Sequence, residues 1–193
     1  MVVSRRRGCH RKIVIMPRVT FVKRAMKPNS VVSQEDIDRA KNPQTEADKT
    51  AASYYWWKFR HGGRRESKTY PKRSQLTQSN FLSQLYDLQD GIDERFSEAQ
   101  TSDDFNSARD EVVAEIENLR DECQESLDNM PESLQYAPTG ELLQERIDAL
   151  ENWSSEFENV DCDFDEEDFE DKDEWKEHIS NIRDELTSCE CEL

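Results

Sequence analysis

The spacing of apolar residues changes character near residue 80. Before that point, apolar and polar residues alternate in short stretches, "RVTFVKR" at residues 18–24 and "YYWWKFR" at residues 54–60. Alternation of β-branched and aromatic residues with polar ones is typical of strands, whose side chains point to opposite faces in turn. Beyond it, apolar residues recur every three or four positions, which is typical of helices that bury one stripe. The pattern predicts a small sheet followed by a helical region.

Three long helices are predicted from these stripes, and Thr101 with Asp104 three residues later favours a capping box at the start of the second. Pro131 ends that helix, and short connections predict antiparallel neighbours. The segment "DEWKEHISNIRDEL" predicts a final short helix after an acidic stretch. The stripes are Phe81, Leu85, Leu88, Ile92 and Phe96; Phe105, Val112, Ile116, Leu119, Cys123 and Met130; and Leu143, Ile147, Leu150, Trp153 and Phe157.

The stretch "SYYWWKFRHGGRRESKTYPKR", residues 53–73, predicts a β-hairpin, which we call the basic hairpin. Gly62 and Gly63 are expected to adopt positive φ in a tight turn, and Pro71 follows the second strand. A hairpin alone is marginal in water, so "RVTFVKR" is the expected third strand. Residues 27–52 contain two prolines and show no periodicity, so they are predicted to be a linker or long loop.

Alternation along the hairpin defines two faces. One face carries Tyr55, Trp57 and Phe59 and is expected to pack on the first long helix around Phe81 and Leu85. The other face is expected to mix rings and cations at the surface, and it carries Tyr54, Trp56, Lys58 and Arg60.

Charge is divided unevenly along the chain. Residues 1–73 contain 19 Lys/Arg and 6 Asp/Glu, a net charge of about +13, whereas residues 74–193 contain 7 and 37, a net charge of about -30. The overall charge of -17 therefore conceals a basic amino-terminal part. Such an asymmetry indicates an interaction surface of one sign, with nucleic acid as one candidate partner.

The sequence thus predicts an α+β protein: a small antiparallel β-sheet followed by an elongated antiparallel helical bundle or coiled-coil hairpin, with an acidic carboxy-terminal segment. Four segments are expected. They are a disordered basic extension (1–15), a basic aromatic hairpin module (16–73, with the linker 27–52), a helical hairpin or bundle (74–160) and an acidic tail with a short helix (161–193).

Several motifs resemble a family of uncharacterised proteins of bacteriophages and related mobile elements. They are "MPRVTFVKRA", "SYYWWKFRHGGRRESKTYP", "SQLTQSNFLSQLYDLQD", "NMPESLQ" and "TGELLQERIDALENW". The resemblance covers residues 16–160 and supports Met16 as the start of the common core. It implies a phage-type setting in the cytoplasm of a bacterial host, and it implies no activity.

The basic hairpin is also loosely similar to the amino-terminal arm-binding domains of phage integrases, which use a DNA-contacting sheet. This similarity covers about twenty residues. The catalytic Arg, His and Tyr motifs of those recombinases are absent here, so no catalytic residue is implied.

The residues that enzymes and metal sites require are sparse. The three histidines have no nucleophile near them by local motif, and five glycines leave little room for a phosphate-binding loop. The five cysteines are scattered and odd in number, which disfavours a disulfide framework. His178 with Cys189 and Cys191 lacks a fourth zinc ligand. We expect no enzyme, no cofactor and no metal; with no run of 18 apolar residues, we also expect no membrane span.

The hypothesis from sequence is a non-enzymatic accessory protein whose basic hairpin binds nucleic acid or a nucleoprotein such as the ribosome. Cations neutralise phosphates and rings stack on bases. Alternatively, these cations form ion pairs with the protein's own carboxylates. The alternative hypothesis is a protein-interaction or structural module that binds a host protein through its acidic helices. Such a module could be a nucleic-acid mimic or a component of the virion. The helices could also form a homo-oligomer. The candidate nucleic-acid-binding residues are Tyr54, Trp56, Lys58, Arg60, Arg64, Arg65, Lys68, Lys72 and Arg73.

Overall fold

The computed structural model describes residues 16–165, 169 and 171–191. The predicted basic extension, residues 1–15, lies outside them. The chain divides into two compact units, the first ending at Gln78 and the second beginning at Ser79. The fold is α+β, with a three-stranded antiparallel sheet in the first unit and mainly helices in the second.

The sheet consists of β1 (Thr20–Val22), β2 (Tyr54–Lys58) and β3 (Arg64–Ser67), in the order β1-β2-β3. The predicted third strand is therefore confirmed, and it pairs with β2. The expectation for the turn is wrong, because no glycine in the described part of the chain has a positive φ. Residues 59–63 connect the strands, and a connection of this length does not require the mirror-image geometry of a two-residue turn.

The segment predicted to be a linker contains two helices, α1 (Gln34–Lys41) and α2 (Glu46–Thr50). Each begins with a capping box, formed by Ser33 with Asp36 and by Thr45 with Asp48. Helices this short hold too few apolar positions to show a period, so the capping pattern was the only local signal. The first unit ends with a 3₁₀ turn, η1 (Arg73–Leu76).

The second unit contains α3 (Asn80–Ser97), α4 (Ser102–Asp128), α5 (Glu132–Gln135), α6 (Pro138–Glu158) and α7 (Lys172–Ser188). Thr101 accepts a hydrogen bond from the backbone of Asp104, and Asp104 accepts one in return, which confirms the predicted capping box. Pro131 lies after the end of α4 and caps the short helix α5.

The predicted stripes form the core of the second unit. Phe96, Phe105, Ile116, Leu150 and Phe157 are fully buried there. Three members of the predicted stripes are only half-buried, namely Phe81, Met130 and Leu143.

The predicted acidic tail contributes to the same core. Ile179, Ile182 and Leu186 of α7 are buried in it, and Cys162 in the acidic stretch is 1% exposed. Arg183 donates a hydrogen bond of 2.9 Å to the carbonyl of Phe96, near the end of α3, and one of 3.0 Å to the carbonyl of Ala99, just after that helix. In their described part, residues 161–191 thus contribute apolar side chains to the helical core.

Across the described ranges, no helix combines the length and apolar character needed to cross a membrane.

Candidate nucleic-acid interface

The strand register sets which side chains of the basic hairpin share a face, because residues directly opposite in an antiparallel pair point to the same side. Every residue of β3 faces a residue of the aromatic strand β2. The pairs are Lys58 with Arg64, Trp57 with Arg65, Trp56 with Glu66, and Tyr55 with Ser67.

The face predicted to bind nucleic acid is covered by the helices of the supposed linker. Tyr54 is only 8% exposed and packs in a core cluster with Val32, Ile37 and Ala40. Trp56 is half-buried against the same cluster. Burial of apolar surface stabilises the fold, so packing on α1 places Tyr54 in the protein interior and covers part of Trp56.

Arg64 lies across the covered rings. Its guanidinium carbon is 4.6 Å from the centroid of Trp56 and 5.8 Å from that of Tyr54. One guanidinium nitrogen donates a hydrogen bond of 2.9 Å to the Tyr54 hydroxyl, and Nε is 3.0 Å from a carboxylate oxygen of Glu66. Arg64 is therefore occupied by contacts within its own unit.

Lys68 is also engaged within the unit. Its Nζ is 3.4 Å from Asp36 Oδ2, and it donates a hydrogen bond to the carbonyl of Ala51. Burial is the largest influence on the pKa of Asp36 and raises it, but hydrogen bonds from Ser33 and the charge of Lys68 outweigh burial and lower that pKa. The ionised carboxylate of α1 thus partners one of the predicted site cations.

The other cations present a different picture. Lys58, Arg60, Arg65 and Lys72 are exposed. No carboxylate of the described residues lies within 4.0 Å of their charged nitrogens. The guanidinium of Arg65 lies 5.4 Å from the ring centroid of Phe59. These four side chains, which we call the unpaired cations, offer positive charge to solvent. The remaining predicted site residue, Arg73, is exposed at the start of η1.

The opposite face of the sheet is partly core. Trp57 and Phe59 are buried together with Leu76, and the indole nitrogen of Trp57 donates a hydrogen bond of 3.2 Å to the carbonyl of Gln75. The expected partners Phe81 and Leu85 are instead part of the second unit's core. The apolar residue of η1 provides the cover that was assigned to the first long helix.

Three rings stand beside this core at the surface. Phe21 is 51% exposed, Tyr70 is 63% exposed, and Tyr55 lies half-buried between them. Ring centroids are 4.9 Å apart for Phe21 and Tyr55 and 5.5 Å apart for Tyr55 and Tyr70. We call these three residues the aromatic row. An open cavity of about 490 Å³ adjoins it, lined by Phe21 and Tyr55 and also by Asp36, Arg39 and Lys68.

Sequence analysis missed two members of this row. The sequence pattern places Phe21 in a predicted strand and Tyr70 within the basic hairpin, and neither of them is among the candidate binding residues. The available signal was the strand register, because Phe21 lies directly opposite Tyr55 once "RVTFVKR" pairs with β2. The choice of face could not come from alternation, which separates the two faces without saying which one is covered.

The residues considered for metal binding do not meet in the described part of the chain, where no group of three or more His, Cys, Asp or Glu side chains could hold an ion. His178 packs against the ring of Phe164 at a centroid distance of 5.3 Å. Burial, with the charge of Glu156, raises the pKa of both Cys189 and Cys191 to about 11, so these thiols are protonated at neutral pH.

Comparisons with known protein families, curated proteins and solved structures find no match. The resemblance to a bacteriophage family therefore stays a prediction.

Proposed function

We propose that the first unit binds nucleic acid and that the chain is a non-enzymatic accessory protein of phage type, acting in the cytoplasm of a bacterial host. The observation that carries the proposal is the set of unpaired cations Lys58, Arg60, Arg65 and Lys72, exposed on and beside the three-stranded sheet. Residues 16–78 contain 14 Lys/Arg and 6 Asp/Glu, so the unit as a whole attracts polyanions.

The candidate residues fall into two groups by their contacts, and we assign the groups different roles. Tyr54, Trp56, Arg64 and Lys68 stabilise the unit, because each is buried or paired within it. The unpaired cations are the phosphate-binding group, since they can neutralise phosphates without first breaking an internal ion pair. Phosphate contacts of this kind carry no sequence preference by themselves.

The test is binding of fluorescein-labelled oligonucleotides to the full chain, followed by anisotropy between 50 and 300 mM salt. Reversing two unpaired cations in R65E/K72E should lower affinity at least tenfold. It should also reduce the slope of log K against log salt concentration by about 2, because each phosphate contact contributes about one unit.

A control with the same change of net charge is K41E/K49E, because Lys41 and Lys49 already pair with carboxylates of their own short helices. This variant should change affinity less than threefold. Absence of binding by the unaltered protein at 50 mM salt, or equal losses in the two double variants, would refute the proposal.

For the second unit we propose an antiparallel helical bundle that acts as a spacer or an oligomerisation surface. Its support is the single core shared by α3, α4, α6 and α7, together with the short connection of residues 98–101 between the first two. Bundles with such links are typically built from antiparallel neighbours. Small-angle X-ray scattering over a concentration series would measure both the length and the oligomeric state.

A second candidate function is protein binding through the acidic helical unit. The observation in its favour is the exposure of Leu134 and Tyr136, 50% and 80% respectively, in and just after α5. Exposed large apolar side chains at neighbouring positions are a common feature of protein interfaces. Recovery of a host protein that survives nuclease treatment and R65E/K72E, but is lost in Y136A, would favour this function over nucleic-acid binding.

A further inference from the structure

The aromatic row concentrates apolar surface at one place in the first unit. Five large apolar side chains are strongly exposed in the described part of the chain, and two of them, Phe21 and Tyr70, belong to the row. Both contact the half-buried ring of Tyr55, so the three rings form one continuous surface. Contiguous exposed rings are more informative than scattered ones, because isolated exposed apolar residues are normal.

The backbone holds this surface in place before any ligand arrives. Phe21 is the central residue of β1 and lies directly opposite Tyr55 of β2. Tyr70 meets Tyr55 edge-on from the segment that follows β3. Because the central ring is fixed by strand pairing and by both neighbours, a ligand that stacks on the row has little side-chain entropy to remove.

The angles between the rings restrict what can stack on them. The planes of Phe21 and Tyr55 are inclined by 40°, and those of Tyr55 and Tyr70 by 80°. A stack of parallel, paired bases cannot lie flat on rings inclined in this way. Separate bases that are turned out of their stack can, and such bases are offered by single strands.

Positive charge flanks the row at positions that a backbone could follow. Lys23 and Lys72 each follow an exposed ring by two residues, and Arg65 points from β3 to the same face of the sheet as Tyr55. The nearby carboxylate of Asp36 is paired with Lys68, which offsets its repulsion of phosphates. Rings for bases and cations for phosphates are the two elements that single-strand binding requires.

We infer that the aromatic row of Phe21, Tyr55 and Tyr70 binds the unpaired bases of single-stranded nucleic acid, so that the first unit prefers single strands to duplexes. This inference rests on the proposed function, because Arg65 and Lys72 of the unpaired cations are the phosphate-binding groups in both. It adds a preference that charge alone does not supply, since a duplex has the higher charge density.

The experiment compares a labelled 12-nucleotide oligothymidylate and a 12-base-pair duplex in the same anisotropy assay at 150 mM salt. The unaltered full chain should bind the single strand at least tenfold more tightly. The variant F21L/Y70L keeps apolar bulk at two exposed positions but removes the rings. It should lose at least tenfold in single-strand affinity, leave duplex affinity within twofold, and leave the salt slope unchanged.

Y136A is the control, since it removes a more exposed ring, that of Tyr136 in the acidic unit, and should alter neither affinity. Thermal unfolding of F21L/Y70L checks that the variant is folded. If it is unstable, Y70L replaces it in the binding assay, because Tyr70 lies outside the strands. Equal or tighter duplex binding, or ring variants that bind single strands normally, would overturn the inference while leaving the proposed function intact. Absence of binding to either probe would overturn both.

Discussion

The guanidinium of Arg64 lies 4.6 Å from the ring centroid of Trp56 and is tied at the same time to Glu66 and to the Tyr54 hydroxyl. An arginine stacked on an aromatic ring in a basic hairpin combines the residue types that often contact nucleic acid. Here its partners belong to its own sheet, so the pair stabilises the unit. The surface available to a ligand lies elsewhere, among the unpaired cations and the aromatic row.

Neighbouring arginines of β3 should therefore respond differently to removal. R64A should destabilise the sheet by about 1–2 kcal/mol, because it removes a cation–π contact and charge-assisted hydrogen bonds and leaves Glu66 with only its hydrogen bond from Ser30. R65A should cost less than about 0.5 kcal/mol, as expected of an exposed side chain. Hydrogen–deuterium exchange of residues 54–67, read by mass spectrometry, measures both. Equal protection in the two variants would contradict the assignment of Arg64 to structure.

The segment first assigned as a linker should prove necessary for folding. Ile37 of α1 is 1% exposed in the cluster that covers Tyr54, so I37A should destabilise the first unit by about 2–5 kcal/mol. Met26 immediately precedes this segment and is 80% exposed, so M26A should stay within about 0.5 kcal/mol of the unaltered protein. Urea unfolding of the full chain gives both values. Little effect of I37A would restore the linker interpretation.

Two helical glycines should give opposite results on replacement by alanine. A Cβ at Gly140 would lie 2.0 Å from the carbonyl oxygen of Gln135, a backbone atom that cannot yield without moving α5. G140A should therefore cost about 2 kcal/mol or more. A Cβ at Gly91 would meet only Arg95 Nε at 3.9 Å, so G91A should stabilise α3 by about 0.5–1 kcal/mol. Thermal unfolding of both variants checks this, and a neutral G140A would contradict the close approach.

The thiols at the end of the chain should be slow to react in the folded protein. Because burial raises the pKa of Cys189 and Cys191 from 9.0 to about 11, their thiolate fraction near pH 8 should fall about a hundredfold. Alkylation by iodoacetamide, mapped by mass spectrometry with and without urea, measures the difference. Equal rates in the two conditions would contradict the burial of these groups.

The raised pKa of Cys189 and Cys191 also makes the free energy of unfolding depend on pH in the alkaline range. A thiol whose pKa is raised on folding contributes stability that is fully present below its unfolded pKa and is lost as pH rises towards the folded value. Urea midpoints should therefore fall between pH 9 and pH 11. The variant C189S/C191S removes both groups and should show a smaller decline over that range.

Most of the correct predictions came from patterns that repeat many times along a long element. The stripe from Phe105 to Cys123 was predicted correctly because a helix of 27 residues repeats its apolar spacing many times. The cap at Thr101 was predicted correctly from its local capping-box motif. The third strand was also found, since a hairpin needs a partner to be stable. The two short helices were missed because eight and five residues are too few for a period.

The sequence by itself determined the segregation of charge, the basic hairpin and its third strand, and the helical stripes, since these depend on composition and on spacing along the chain. Only the tertiary structure decided which face of the sheet is open. Alternation assigns Tyr54 and Tyr55 to opposite faces, but residues distant in sequence provide the cover: Ile37 packs over one face, and Leu76 packs beside the other. That packing is non-local, and it is why the aromatic row of Phe21, Tyr55 and Tyr70 reaches the surface.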